Sequence, residues 1–176
     1  MESRVKTFIF IILVFFVSLM VEIIPLPHWG EYLRPQLVVL VLIYWQLTNP
    51  YRVNLIIILF VGLLLDFLHN VFLGEHAIAL LMVSYFLLEF HCRIKMFTLV
   101  RQMLTVLGLL LGYEGILLVF AWLAHDQTMI IEPNGIKIQY YWLCFSNAII
   151  NTLIWPCFAT VLYTLAPKDA GVKLPL

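Results

Sequence analysis

Residues 97–123 read FTLVRQMLTVLGLLLGYEGILLVFAWL, 27 residues in which Arg101 and Glu114 are the only charged positions. A helix rises about 1.5 Å per residue, so this run is long enough for a hydrocarbon core of roughly 30 Å. Five further apolar stretches flank it, over about 7–24, 36–47, 53–68, 76–90 and 138–165. The first closes at Pro25 and Pro27, and the second lies between Arg34-Pro35 and Asn49-Pro50, where proline and the residue before it leave helical geometry. At about 12 residues the second stretch spans only with help from its neighbours. None of the stretches alternates apolar with polar residues, as a barrel strand with a wet inner face must. With 64% apolar and 11% charged residues, the chain reads as an all-α integral membrane protein of six transmembrane helices.

The net charge of zero conceals an asymmetry. In an alternating six-span arrangement, Arg4, Lys6, Arg52, Arg93, Lys95, Arg101, Lys168 and Lys173 fall on one side and only Arg34 and Lys137 on the other. Basic residues near helix ends stay cytoplasmic, so both termini are expected inside the cell. The acidic Glu22, Glu31, Glu75, Asp126 and Glu132 then lie at or near the outer face. The basic start of the first stretch invites a signal-peptide reading, but Glu22-Ile23-Ile24-Pro25-Leu26-Pro27 has no small-x-small site, and an uncleaved span is expected. Cys92, Cys144 and Cys157 lack paired spacing and read as packing residues.

The longest connection, about 124–137, is too short for a catalytic or nucleotide-binding domain, so residues 1–176 read as one membrane domain. Phosphate-loop, His-Glu-x-x-His and Gly-x-Ser-x-Gly motifs are missing, and neither an enzyme activity nor a cofactor is expected. His69, Glu75 and His76 invite a zinc reading, yet their spacing is irregular and no metal is assigned.

Polar residues inside spans are costly, on the order of 2.5–3.5 kcal/mol for a central Asp, and each requires a reason. Asp66 follows Gly62 by four residues and precedes Asn70 by four, a small and polar stripe that should meet another helix. Two readings stand for it: a partner-binding or ion-linked carboxylate, or one capped and hydrogen-bonded locally. In the fifth span Gly108, Gly112 and Gly115 share a face at a spacing that permits close helix approach. Glu114 points about 120° from Gly108 on that helix, either protonated in a dry groove or paired with a basic group. Cys144, Asn147, Asn151 and Trp155 form an amide-bearing stripe on the sixth span, ahead of a kink expected at Pro156. Such amides more often join helices than bind ligands.

Several short motifs occur in a fixed order: Arg34-Pro35, the run ending Tyr44-Trp45, Pro50-Tyr51-Arg52-Val53-Asn54, Gly62-Leu63-Leu64-Leu65-Asp66, Leu73-Gly74-Glu75-His76-Ala77, Tyr85 before Arg93, and Asn151 to Trp155-Pro156. In this order and setting the chain resembles the rod shape-determining protein MreD family, densely over 34–95 and by span pattern elsewhere. The resemblance implies a non-enzymatic scaffold in the bacterial inner membrane. It would bind MreC and link cytoplasmic MreB filaments to periplasmic peptidoglycan synthesis. A SEDS glycosyltransferase and its transpeptidase would be direct or indirect partners, lipid would surround the chain, and no nucleic acid would be bound. It further implies a partner surface formed or shaped by Arg34, Tyr44, Trp45, Gly62 and Asp66. The family is also similar to the substrate-binding subunits of energy-coupling-factor transporters, so the competing expectation is a small-molecule-binding membrane subunit of a transporter.

Overall fold

A computed structural model describes residues 2–24, 35–49, 53–95, 99–123, 131–132, 135–136 and 138–166. Six helices account for almost all of these: α1 Glu2–Ile23, α2 Leu37–Thr48, α3 Leu55–His69, α4 Glu75–Lys95, α5 Leu99–Leu123 and α6 Ile138–Leu165. Three of them, α1, α5 and α6, are long and apolar enough to cross a membrane, whereas α2 and α3 are apolar but shorter. The helix boundaries follow the sequence reading closely, except that α4 continues to Lys95 and α1 begins at Glu2. One feature departs from an all-helical reading. Within the 124–137 connection, β1 Ile131–Glu132 pairs antiparallel with β2 Gly135–Ile136, Ile131 opposite Ile136. Four residues carry no hydrophobic period, so the sequence offers no signal for so small a ladder.

The shortest helix occupies the centre. α2 packs against α1, α4 and α6, while α3 lies on α4, α4 on α5, and α5 on α6. Every α2 residue from Val38 to Thr48 is buried, which is the placement expected of a helix apolar all round. At about 18 Å, α2 is too short for a bilayer on its own. Surrounded by longer helices, it need not meet lipid at either end. Trp45 is wedged edge-on between Phe10 of α1, with ring centroids 6.1 Å apart, and Tyr44, at 5.6 Å. The polar members of α2 are handled locally: Gln46 donates to the Ser84 hydroxyl of α4, and Thr48 to its own helix at the Tyr44 carbonyl.

The outward face of α1 is apolar. On α1, Thr7, Ile11, Phe15 and Ser18 turn inward, while Phe8, Ile9, Ile12 and Phe16 are left exposed. An uncovered apolar face of this extent is unstable in water and ordinary in lipid.

Candidate functional site

The site begins at the α3–α4 junction. α3 ends because Asn70 adopts the left-handed conformation at φ 53°, its N–H reaching back to the carbonyls of Asp66 and Phe67. Gly74, at φ 108°, re-aims the chain into α4 at a conformation that glycine tolerates best. The carboxylate of Asp66, wholly buried, holds this turn. Its Oδ2 accepts the Gly74 N–H at 2.7 Å, and its Oδ1 accepts both the His76 N–H at 2.7 Å and His76 Nδ1 at 2.9 Å. An acidic side chain thus satisfies two backbone donors around the start of a helix, where negative charge is favoured. Four residues earlier Gly62 meets α4 directly, since a Cβ built there would lie 2.8 Å from the Ala77 nitrogen. The Gly62–Asp66 stripe therefore faces a helix, while Asn70 serves as the cap.

A second junction fixes the start of α2. The Gln36 N–H donates to Asn151 Oδ1 at 2.9 Å, and the Gln36 side-chain amide donates to Glu114 Oε1. Asn151 in turn donates to the Asn147 carbonyl one turn earlier on α6, at 2.8 Å. Glu114 is paired with a neutral amide and has the Cys144 side chain beside it; of the two readings offered for it, pairing with a basic group is not what the described residues show. Gln36 is the residue that sequence reasoning missed. It stands at the edge of an apolar run, where an amide reads simply as a boundary.

Between the two junctions lies a polar cavity of about 140 Å³, lined by Glu22, Gln36, His69, His76, Tyr113, Leu117 and Asn147. The rings of His69 and His76 stack with centroids 5.1 Å apart, and Tyr113 approaches His76 edge-on at 6.3 Å. The cavity thus draws on the end of α1, the residue preceding α2, the end of α3, the start of α4 and the interior of α5 and α6. Residues far apart in the chain meet beside the α3–α4 turn and the start of α2. Among the described residues no group of three or more His, Cys, Asp or Glu is arranged to hold a metal ion.

The remaining expected site residues are distributed differently. Tyr44 and Trp45 are fully buried, as are Gly62 and Asp66, so any influence they exert on a partner passes through the shape of the bundle. Arg34 lies outside the described residues, and the adjacent Pro35 is partly buried. Gly108, Gly112 and Gly115 do not mediate close approach within this chain, because a Cβ at any of them meets nothing within 4 Å. Gly108 and Gly112 instead floor an apolar groove of about 400 Å³ between α4 and α5, walled by Met82, Phe86 and Ile116. Glycine spacing marks where a helix could come close, but the neighbouring side chains decide whether one does.

The architecture is a bundle of six helices, three of them long and apolar enough to cross a membrane, whose buried polar groups join helices. The family model for rod shape-determining protein MreD matches residues 2–165. A curated relative, rod shape-determining protein MreD of Haemophilus influenzae, is 27% identical over 158 residues, covering 89% of this chain and 90% of the relative. The chain belongs to the MreD family, a shape-determining family rather than an enzyme family, and membership supports a role in determining rod cell shape. No solved structure matches the chain.

Proposed function

We propose that this protein is a multi-pass scaffold of the bacterial inner membrane. In this reading six helices span the bilayer with both termini cytoplasmic, and the polar cavity lies toward the outer face. The scaffold binds MreC and couples MreB filaments to the periplasmic machinery that builds peptidoglycan, including the SEDS glycosyltransferase and its transpeptidase. The observation that carries the reading is how the intramembrane polar groups are used. Asp66 secures the α3–α4 turn, and Glu114 with Asn151 secures the start of α2. Rigid positioning of helices is what a scaffold requires.

The transporter-subunit alternative is less well supported. Ligand pockets usually measure roughly 300–1,000 Å³ and combine apolar walls with a few convergent polar groups. Here the polar cavity is about 140 Å³ and the larger groove is almost wholly apolar in lining.

Depletion of the protein in its source bacterium should convert rods to rounded cells, and the full-length chain should retain MreC through purification in mild detergent. Rods that persist after complete depletion would remove the elongation role. Loss of shape without MreC retention would keep that role and reject the direct contact.

A further inference from the structure

The polar cavity has an unbalanced chemistry. The side-chain oxygens of Gln36 and Asn147 are buried in it without a hydrogen-bond partner. For Gln36 this atom is unambiguous, because the nitrogen of the same amide is engaged by Glu114. His76 contributes a third acceptor. Its Nδ1 faces a carboxylate that already takes two backbone N–H groups, so Nδ1 carries the proton and Nε2 presents its lone pair away from Asp66. Charge points the same way. Glu22, Asp66, Glu75 and Glu114 all lie close enough to act on Tyr113, and among the described residues the lining contains no Lys or Arg. Acceptors without matching donors are costly when buried, at about 1–3 kcal/mol each, and a donor that carries positive charge relieves both deficits together.

We propose that this cavity is a binding site for a guanidinium or ammonium group. The acceptors come from separate segments, Gln36 ahead of α2, His76 on α4 and Asn147 on α6, and among the described residues no metal-ligand cluster forms, which suits a group that spreads several N–H donors over a plane or tetrahedron better than a single ion. A volume of about 140 Å³ equals that of roughly four or five waters, enough for such a head group with some hydration. The Tyr113 and His76 rings supply aromatic surface on which a cation of this type rests. Either a basic side chain of a partner or a soluble amine could deliver the group. The site stands independently of the scaffold reading, and only delivery by a partner rests on it.

The test uses the full chain in lipid nanodiscs with ring-labelled histidines, titrated with arginine amide and, at matched ionic strength, with its neutral isostere citrulline amide. The expected result is a saturable shift of the His69 and His76 resonances with arginine amide. Asn147→Leu, and separately Glu22→Gln, should weaken the response at least tenfold while keeping the wild-type thermal midpoint. A linear response, or an equal one from citrulline amide or sodium chloride, would show a cavity filled only by water and overturn the proposal. Should Glu22→Gln fail to fold, Asn147→Leu alone decides, since its orphaned oxygen holds nothing in place. MreC retention by the same variants separates the sources: reduced retention assigns the cation to the partner, and unchanged retention with lost arginine-amide binding assigns it to a solute. If the wild type retains no MreC, the direct contact fails while the titration still judges the site.

Discussion

Gly62 and Gly112 are the same residue in opposite situations. Gly62 is buried against the backbone of Ala77, so an added methyl has no flexible neighbour to displace and the two helices must part. Overpacking of this kind costs roughly 1–3 kcal/mol. Gly112 faces open space, where alanine meets no obstacle and is the better helix former by up to about 1 kcal/mol. Thermal unfolding in detergent should therefore show Gly62→Ala clearly destabilised and Gly112→Ala unchanged or improved. Asp66 presents a comparable contrast. Asp66→Leu leaves the Gly74 and His76 N–H groups without their acceptor, each worth about 1–3 kcal/mol if it stays buried, whereas Asp66→Asn keeps one carbonyl oxygen. Amide hydrogen exchange at Gly74 and His76 should accelerate strongly in Asp66→Leu and less in Asp66→Asn. Unchanged protection in both would mean that the carboxylate does not hold the turn.

At the scale of elements, α2 shows both what was legible and what was not. Its length was readable from the prolines at either end, and its uniform apolarity pointed to a helix enclosed by others. What encloses it was not readable, because an unpatterned apolar helix has no preferred face to declare. Its attachment was hidden for a related reason: Gln36, Glu114 and Asn151 are far apart in the chain, and a hydrogen bond between distant residues leaves no local period. That attachment can be measured. Gln36→Leu and Glu114→Leu should each destabilise the bundle, and the double variant should lose less than the sum, with a coupling of about 0.5–3 kcal/mol in a double-mutant cycle. Strict additivity would mean that the two side chains do not meet. The glycine face of α5 marks the converse limit, since its spacing was evident in sequence while its openness depends on α4.

For the whole molecule, the distribution of charge links the fold to the membrane. Glu22, His69 and His76 line one cavity, and Asp66 and Glu75 belong to the α3–α4 junction beside it, while Lys6 and Arg101 lie near the starts of α1 and α5. These positions are legible in sequence because charges at helix ends depend only on where helices start and stop. The convergence of six polar side chains on one cavity needed the packing order as well. Basic helix ends are as a rule retained in the cytoplasm, so the proposed six-span arrangement carries a testable orientation. Leu73, 76% exposed in the α3–α4 turn, and Val5, 55% exposed near the start of α1, give two reporters that disturb neither junction. In a variant whose three native cysteines are replaced, a membrane-impermeant maleimide applied to intact spheroplasts should label Leu73→Cys and leave Val5→Cys untouched until the membrane is opened. The reverse pattern would invert the protein and move the polar cavity to the cytoplasmic face. Labelling of both positions from outside would break the alternation of spans between α1 and α4, and the six-span arrangement with it.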